Sequence, residues 1–175
     1  RTKFLNDGIP ADRVARVSVT LGLPDGSGYV RLASADPSVQ PTFNYRYLQH
    51  PNDKRRVRDG IRKAAGFLES DAYKDVCDQR LHPVDDILNN DDALDLYISQ
   101  TVGTARHVSG TCKMGPDSDP MAVVDQYCNV KGVEGLSVVD ASIKPKITRS
   151  GGSHATVLMM AERAVEFIAR TTTKV

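Results

Sequence analysis

Cysteine is scarce: Cys77, Cys112 and Cys128 are the three in 175 residues, and no two stand as C-x-x-C. An odd, scattered set argues against a disulfide framework and fits reduced thiols in a reducing, cytoplasmic compartment. It also leaves no closely spaced ligand pair for a closed zinc site, so no metal is expected. No apolar run approaches the roughly 20 residues of a membrane-spanning helix, and the opening R-T-K-F-L-N-D-G lacks the apolar stretch of a signal peptide. An excess of one charge is missing too. Lys+Arg 23 against Asp+Glu 22 gives a net charge of +1, which removes the global reason to seek nucleic acid or an anionic membrane as partner. A dinucleotide-binding G-x-G-x-x-G is also absent: in Gly26-Ser27-Gly28-Tyr29-Val30-Arg31 an arginine stands where the third glycine belongs, and a strand pattern follows instead of a helix.

What is present is enough apolar residue, 40%, to bury one substantial core, so one compact unit is the default. Val17, Val19 and Leu21 alternate with polar residues over Val14–Leu21, which predicts a strand returning through the turn Pro24–Gly28 into a second strand, Tyr29–Leu32. Thr42–Leu48, short and aromatic, predicts another strand. Pro51 can open a helix on which Val57, Ile61, Ala64, Ala65 and Leu68 form one apolar stripe. Its other side carries Lys54, Arg55, Arg56, Arg58, Arg62 and Lys63. No aromatic residues interleave there, and the acidic stretch Asp85–Asp95 balances it, so a solvated helix face is expected rather than a nucleic-acid patch. Asp91 or Asp92 is expected to cap a helix running to about Gly103, with Leu94, Tyr97, Ile98 and Val102 on one side. Gly135–Ser142 predicts a short buried strand ending in a polar turn, Lys144–Ser153 a loop, and Val157, Ala161, Ala164, Val165 and Ile168 a final amphipathic helix beginning near Ala155.

Between the last two predicted helices lies an irregular, glycine-containing stretch, His107-Val108-Ser109-Gly110-Thr111-Cys112-Lys113-Met114-Gly115, of the sort in which loops carry function. It is followed by Ala122-Val123-Val124-Asp125, by Val130-Lys131-Gly132-Val133-Glu134-Gly135-Leu136 running on to Asp140-Ala141-Ser142, and by His154-Ala155-Thr156-Val157. The order and spacing of these segments resemble the C-terminal signature of the glucose-methanol-choline (GMC) oxidoreductases, and the likeness covers roughly residues 26 to 168. The resemblance implies an α+β fold, an antiparallel sheet covered by helices over about 10–105. A segment over 106–170, comprising the loop, a strand and a helix, would return to an N-terminal FAD-binding Rossmann-like domain of the same polypeptide. That domain, which holds the ADP half of FAD, has no counterpart in the sequence. The chain by itself is therefore expected to hold no FAD and to be inactive.

The same resemblance implies the chemistry. Oxidising an alcohol to an aldehyde or ketone removes a hydroxyl proton and a hydride from one carbon; FAD accepts the hydride and the protein supplies a base. His107 takes the base role and His154 holds the substrate oxygen by a hydrogen bond, at a position where many relatives carry Asn. Asp140 and Ala141 match positions near the ribityl and pyrophosphate of FAD. The Thr156 and Val157 amides, at a helix start with its partial positive charge, match positions beside the flavin ring. Cys112 reads as packing, and His50 and His82 match no catalytic motif. A lyase beside a redox-silent flavin, and a non-catalytic ligand-binding domain of the same fold, are the alternatives.

Overall fold

Helices form where the apolar stripe is long. In the computed structural model, which describes residues 14–149 and 153–172, α1 is Pro51–Leu68, with proline in the first turn where its missing N–H leaves no intrahelical bond unmade. Ala65 is buried and the other four members of the stripe are half-buried. A single turn, α2 (Asp85–Leu88), leads to α3 (Asp91–Thr101). Leu94 and Ile98 of α3 are 0% and 3% exposed, whereas Val102 caps the helix and is exposed. The N-cap is Asn90 and neither of the expected aspartates: its side-chain oxygen accepts the Ala93 N–H at 3.0 Å. Asp91 and Asp92 then fall in the first turn, where negative charge meets the positive helix end.

The basic side of α1 is more than a solvated face. Arg58 pairs with Asp91 at 3.2 Å and Asp95 at 3.1 Å; Arg62 pairs with Asp91 at 2.6 Å and donates to the Leu88 carbonyl at 3.0 Å. The acidic stretch is thus a direct partner of α1. These helices, with Leu21 and the described residues before it, form one of two compact units, spanning Tyr47–Gly103 in its second part.

The second unit joins Gly22–Arg46 to the described chain from Thr104 onward. Its sheet has two antiparallel strands, β1 (Tyr29–Arg31) and β2 (Thr42–Asn44), with Tyr29 opposite Asn44, Val30 opposite Phe43 and Arg31 opposite Thr42. The hairpin expected between Val14–Leu21 and Tyr29–Leu32 does not form. Alternation marks which side chains can share a face and not which backbone supplies the ladder, and β1 takes its partner downstream. Gly28 permits that pairing: a Cβ there would lie 2.1 Å from the Asn44 carbonyl oxygen. The strand expected over Thr42–Leu48 stops early because Arg46 and Leu48, at φ 47° and 57°, are left-handed.

The strand expected over Gly135–Ser142 is likewise replaced. Ser137 makes one antiparallel bridge to Asn129, and a 3₁₀ turn, Ala141–Ile143, follows. Gly135 at φ 72° and the Asp140 cap on the turn interrupt the extended backbone. The final helix, α4 (His154–Thr172), forms one residue earlier than expected. Of the intervening loop, residues 150–152 lie outside the described residues. Ala164 of α4 joins Val124, Cys128 and Ile143 in a buried cluster, with Met114, Val139 and Met160 packed against it. Tyr127 meets Phe167 edge-on at 5.2 Å. A paired antiparallel sheet with separate helices is an α+β arrangement. Among the described residues no helix is long and apolar enough to cross a membrane.

Candidate active site

The His107 loop is shaped by its backbone. Arg106 at φ 64° and Gly110 at φ 83° bracket His107–Ser109, so the chain bends into the left-handed region on either side of the histidine. For Arg106 that conformation costs roughly 1–2 kcal/mol, and it is held by the Arg106 N–H donating to Thr104 Oγ1 at 2.9 Å. Ser109 Oγ donates to the His107 carbonyl at 3.2 Å. The His107 side chain is left exposed.

Beyond Gly110 the motif is laid against the 3₁₀ turn. The amides of Gly110, Cys112 and Met114 donate in order to the carbonyls of Ala141, Ser142 and Ile143, at 3.3, 3.0 and 2.8 Å. Asp140 opens that turn, its Oδ1 accepting the Ser142 N–H at 2.7 Å, and remains exposed. Lys144 closes it and is 4% exposed. From there the Lys144 ammonium donates to Thr156 Oγ1 at 2.7 Å, and the Thr156 hydroxyl donates to the Ser153 carbonyl at 2.9 Å.

One connected set of hydrogen bonds therefore runs from the His107 loop through Ala141 and Lys144 to the first turn of α4, which begins with the exposed His154. All six expected site residues belong to the second unit. The Val157 N–H bonds the Ser153 carbonyl at 2.9 Å within the first turn. It is the Thr156 N–H, one position earlier, that has no intrahelical acceptor. A groove of about 380 Å³ in the first unit, lined by residues including Tyr47, Lys54, Asp95 and Ile98, contains none of the six.

Two residues escaped the sequence reading. Asp125 Oδ1 accepts the N–H groups of Tyr127 and Asn129 at 2.8 and 2.9 Å, and Oδ2 accepts from Asn129 Nδ2 at 3.2 Å. Burial works against its charge, yet these bonds hold the carboxyl below its usual range. The Cys128 thiol, left-handed at φ 70° within the same turn, is pushed up by burial and then by Asp125. The Asp-x-x-x-Asn spacing was the available signal. Lys144 was the other, and a lysine directly between Ile143 and Pro145 was its only trace.

Residues 24–161 match the GMC oxidoreductase family, and the chain belongs to that family. An uncharacterized GMC-type oxidoreductase in the thcA 5' region of Rhodococcus erythropolis is 41% identical over 148 residues, 85% of this chain and 28% of that protein. The oxygen-dependent choline dehydrogenase of Photobacterium profundum is 37% identical over 153 residues, 87% of this chain and 27% of its own. Among solved structures, pyridoxine 4-oxidase from Mesorbium loti aligns with a TM-score of 0.77 at 32% identity, over 83% of this chain and 28% of that one. A fungal aryl-alcohol oxidase gives 0.71 at 27% identity, over 83% and 24%. The chain thus spans little more than a quarter of the curated relatives it matches.

Proposed function

We propose that this chain supplies the substrate side and the flavin-ring side of an FAD-dependent enzyme that oxidises an alcohol to an aldehyde or ketone. The observation that carries the reading is the hydrogen-bonded run from the His107 loop through the Ala141–Ile143 turn to the start of α4, lying within the region that defines the family. Choline, pyridoxine and aryl alcohols, the compounds in the relatives' names, all bear a hydroxyl on carbon. Formate oxidase, a further structural neighbour at 27% identity, acts on a different donor, so the hydroxyl is the favoured class and not a family constant.

The residues present suit the ring end of FAD and not its ADP half. A 19-residue helix opens at His154, with N–H groups at its start that have no intrahelical acceptor and about half a positive charge. The Gly-rich loop that grips a pyrophosphate is absent from the sequence. When bound, FAD supplies the hydride acceptor. His107 takes the hydroxyl proton on its imidazole, and a positioned base of this kind contributes ~10²–10⁴-fold, about 3–5 kcal/mol of barrier. His154 holds the substrate oxygen by a hydrogen bond. Asp140 and Ala141 meet the ribityl region, and Thr156 donates its N–H toward the ring from the turn that also contains Val157.

The remaining contacts to FAD come, on this reading, from an N-terminal domain of the same polypeptide, and the chain alone is inactive. Residues about 10–105 form the substrate-binding part, and 106–170 the part that returns to the flavin domain. Exposed apolar residues on α4 support such a partner: Leu158 and Val165, 60% and 63% exposed, follow His154 on one stripe of the helix. The test is an anaerobic screen of alcohols against the full-length protein, following flavin bleaching. Reduction by at least one alcohol class is expected. A bound flavin that no alcohol reduces, with cyanohydrin cleavage instead, would move the protein to the lyase alternative.

A further inference from the structure

The lysines of the second unit differ in how their charge is met. Lys113 sits 2.7 Å from Asp119 and donates to it, and Lys131, whose ammonium is buried without a hydrogen-bond acceptor, still lies 3.1 Å from the Asp117 carboxylate. Lys144, at 4% exposure, has the neutral Thr156 hydroxyl as its hydrogen-bond acceptor, and among the described residues no carboxylate lies within ion-pair distance of its ammonium. A cation removed from water without a counter-charge is costly and is retained only where something else uses it. The bond it makes is directed: Thr156 accepts from Lys144 and its hydroxyl donates to the Ser153 carbonyl, so the hydroxyl is fixed in orientation and the ammonium with it. This happens in the first turn of a 19-residue helix, whose own partial charge is also positive. Fixed positive charge from two independent sources thus meets in one turn.

We propose that Lys144 is a positioning residue: acting through Thr156, it pins the start of α4 and adds a fixed charge that favours the negative charge a flavin ring gains on reduction. The inference rests on the proposed function for its ligand, and on the buried ammonium and its hydroxyl partner for its geometry.

The experiment measures the two-electron flavin midpoint potential of the full-length holoenzyme by dye equilibration, without any alcohol, in wild type and in Lys144→Gln, Lys144→Met and Lys144→Arg. Lys144→Gln keeps a donor for Thr156 and removes the charge; Lys144→Arg keeps both. Removal of the charge is expected to disfavour the reduced form about tenfold, about 30 mV for two electrons, with Lys144→Arg within threefold of wild type. Equal potentials in Lys144→Gln and wild type, with flavin bound and alcohol still oxidised, overturn this inference and leave the proposed function standing. A shifted potential in a protein that no alcohol reduces has the opposite meaning. A full-length protein that binds no flavin overturns both. Should Lys144→Met fail to fold, the Lys144→Gln and Lys144→Arg pair decides.

Discussion

The α1–α3 pair and the loop–turn–helix region solve the same problem of holding a chain in place by different means. In the first, side chains repeat: Leu94 and Ile98 are buried one turn apart, and Arg58 and Arg62, also one turn apart, reach the aspartates of α3. In the second, backbone groups do the holding. Three amides of the His107 motif meet three successive carbonyls, Asp125 and Asp140 cap amides, and left-handed residues bend the chain between them. Repetition produces a scaffold that tolerates surface change. The irregular region can aim individual side chains, which is why both expected catalytic histidines are there.

The strongest test of that contrast is chemical. In the full-length enzyme His107→Ala is expected to slow flavin reduction by about 10²–10⁴-fold, partly relieved at high pH where hydroxide substitutes for the lost base. His154→Asn should be milder, since asparagine still donates a hydrogen bond, and the double mutant less than additive because both residues act on one oxygen. Stopped-flow reduction of the three variants measures this. Equal damage and equal pH rescue from the two single changes would share the base role between them.

Next comes the core of the scaffold. Leu94→Ala removes a fully buried side chain and should destabilise the protein by about 2–5 kcal/mol in urea unfolding. Because the His107 loop is held by its own backbone bonds, the rate of flavin reduction in the folded fraction should stay near wild type. A loss of rate as large as that of His107→Ala would erase the distinction between the regions.

Two glycines sharpen it further. Gly110 is left-handed at φ 83°, and a Cβ there comes within 3.3 Å of the Lys144 carbonyl; Gly110→Ala should cost roughly 1–2 kcal/mol from the backbone alone and slow the enzyme by moving His107. Gly66 lies inside α1 with nothing within 4 Å of an added Cβ, so Gly66→Ala should stabilise by about 0.5–1 kcal/mol. Denaturant midpoints of the pair would show opposite signs.

The smallest expected effect is in acid. The Arg62 hydrogen bond, with the charges of Arg58 and Arg62, holds the Asp91 carboxyl below its usual range despite some desolvation, and the Lys113 bond does the same for Asp119. A depressed carboxylate binds fewer protons in the folded than in the unfolded state. Its contribution is fully present above the ordinary value of about 3.9 and is lost as pH falls through the folded value. Stability should therefore decline below about pH 4, and Asp91→Asn should flatten that decline slightly. An unchanged slope between pH 6 and 3 would remove Asp91 from the account.

The sequence alone determined the long helices, because a stripe repeated over several turns can be buried in only one way. It also determined the family and the candidate residues, since the spacing of His107, Asp140 and His154 motifs survives any uncertainty about local conformation. The tertiary structure decided the rest. Val14–Leu21 alternates like a strand and Gly135–Ser142 has the apolar content of a buried one, but a strand exists only where another backbone completes its ladder: among the described residues none does so for the first, and the second is met only around Ser137, opposite Asn129. The cap fell to Asn90 and not to Asp91 or Asp92 because capping depends on the backbone angle at one residue, not on which neighbour carries an oxygen. Lys144 shows the limit most clearly. Its bond to Thr156 joins residues twelve positions apart, beyond the reach of any helix or strand period, so no local pattern encodes the contact.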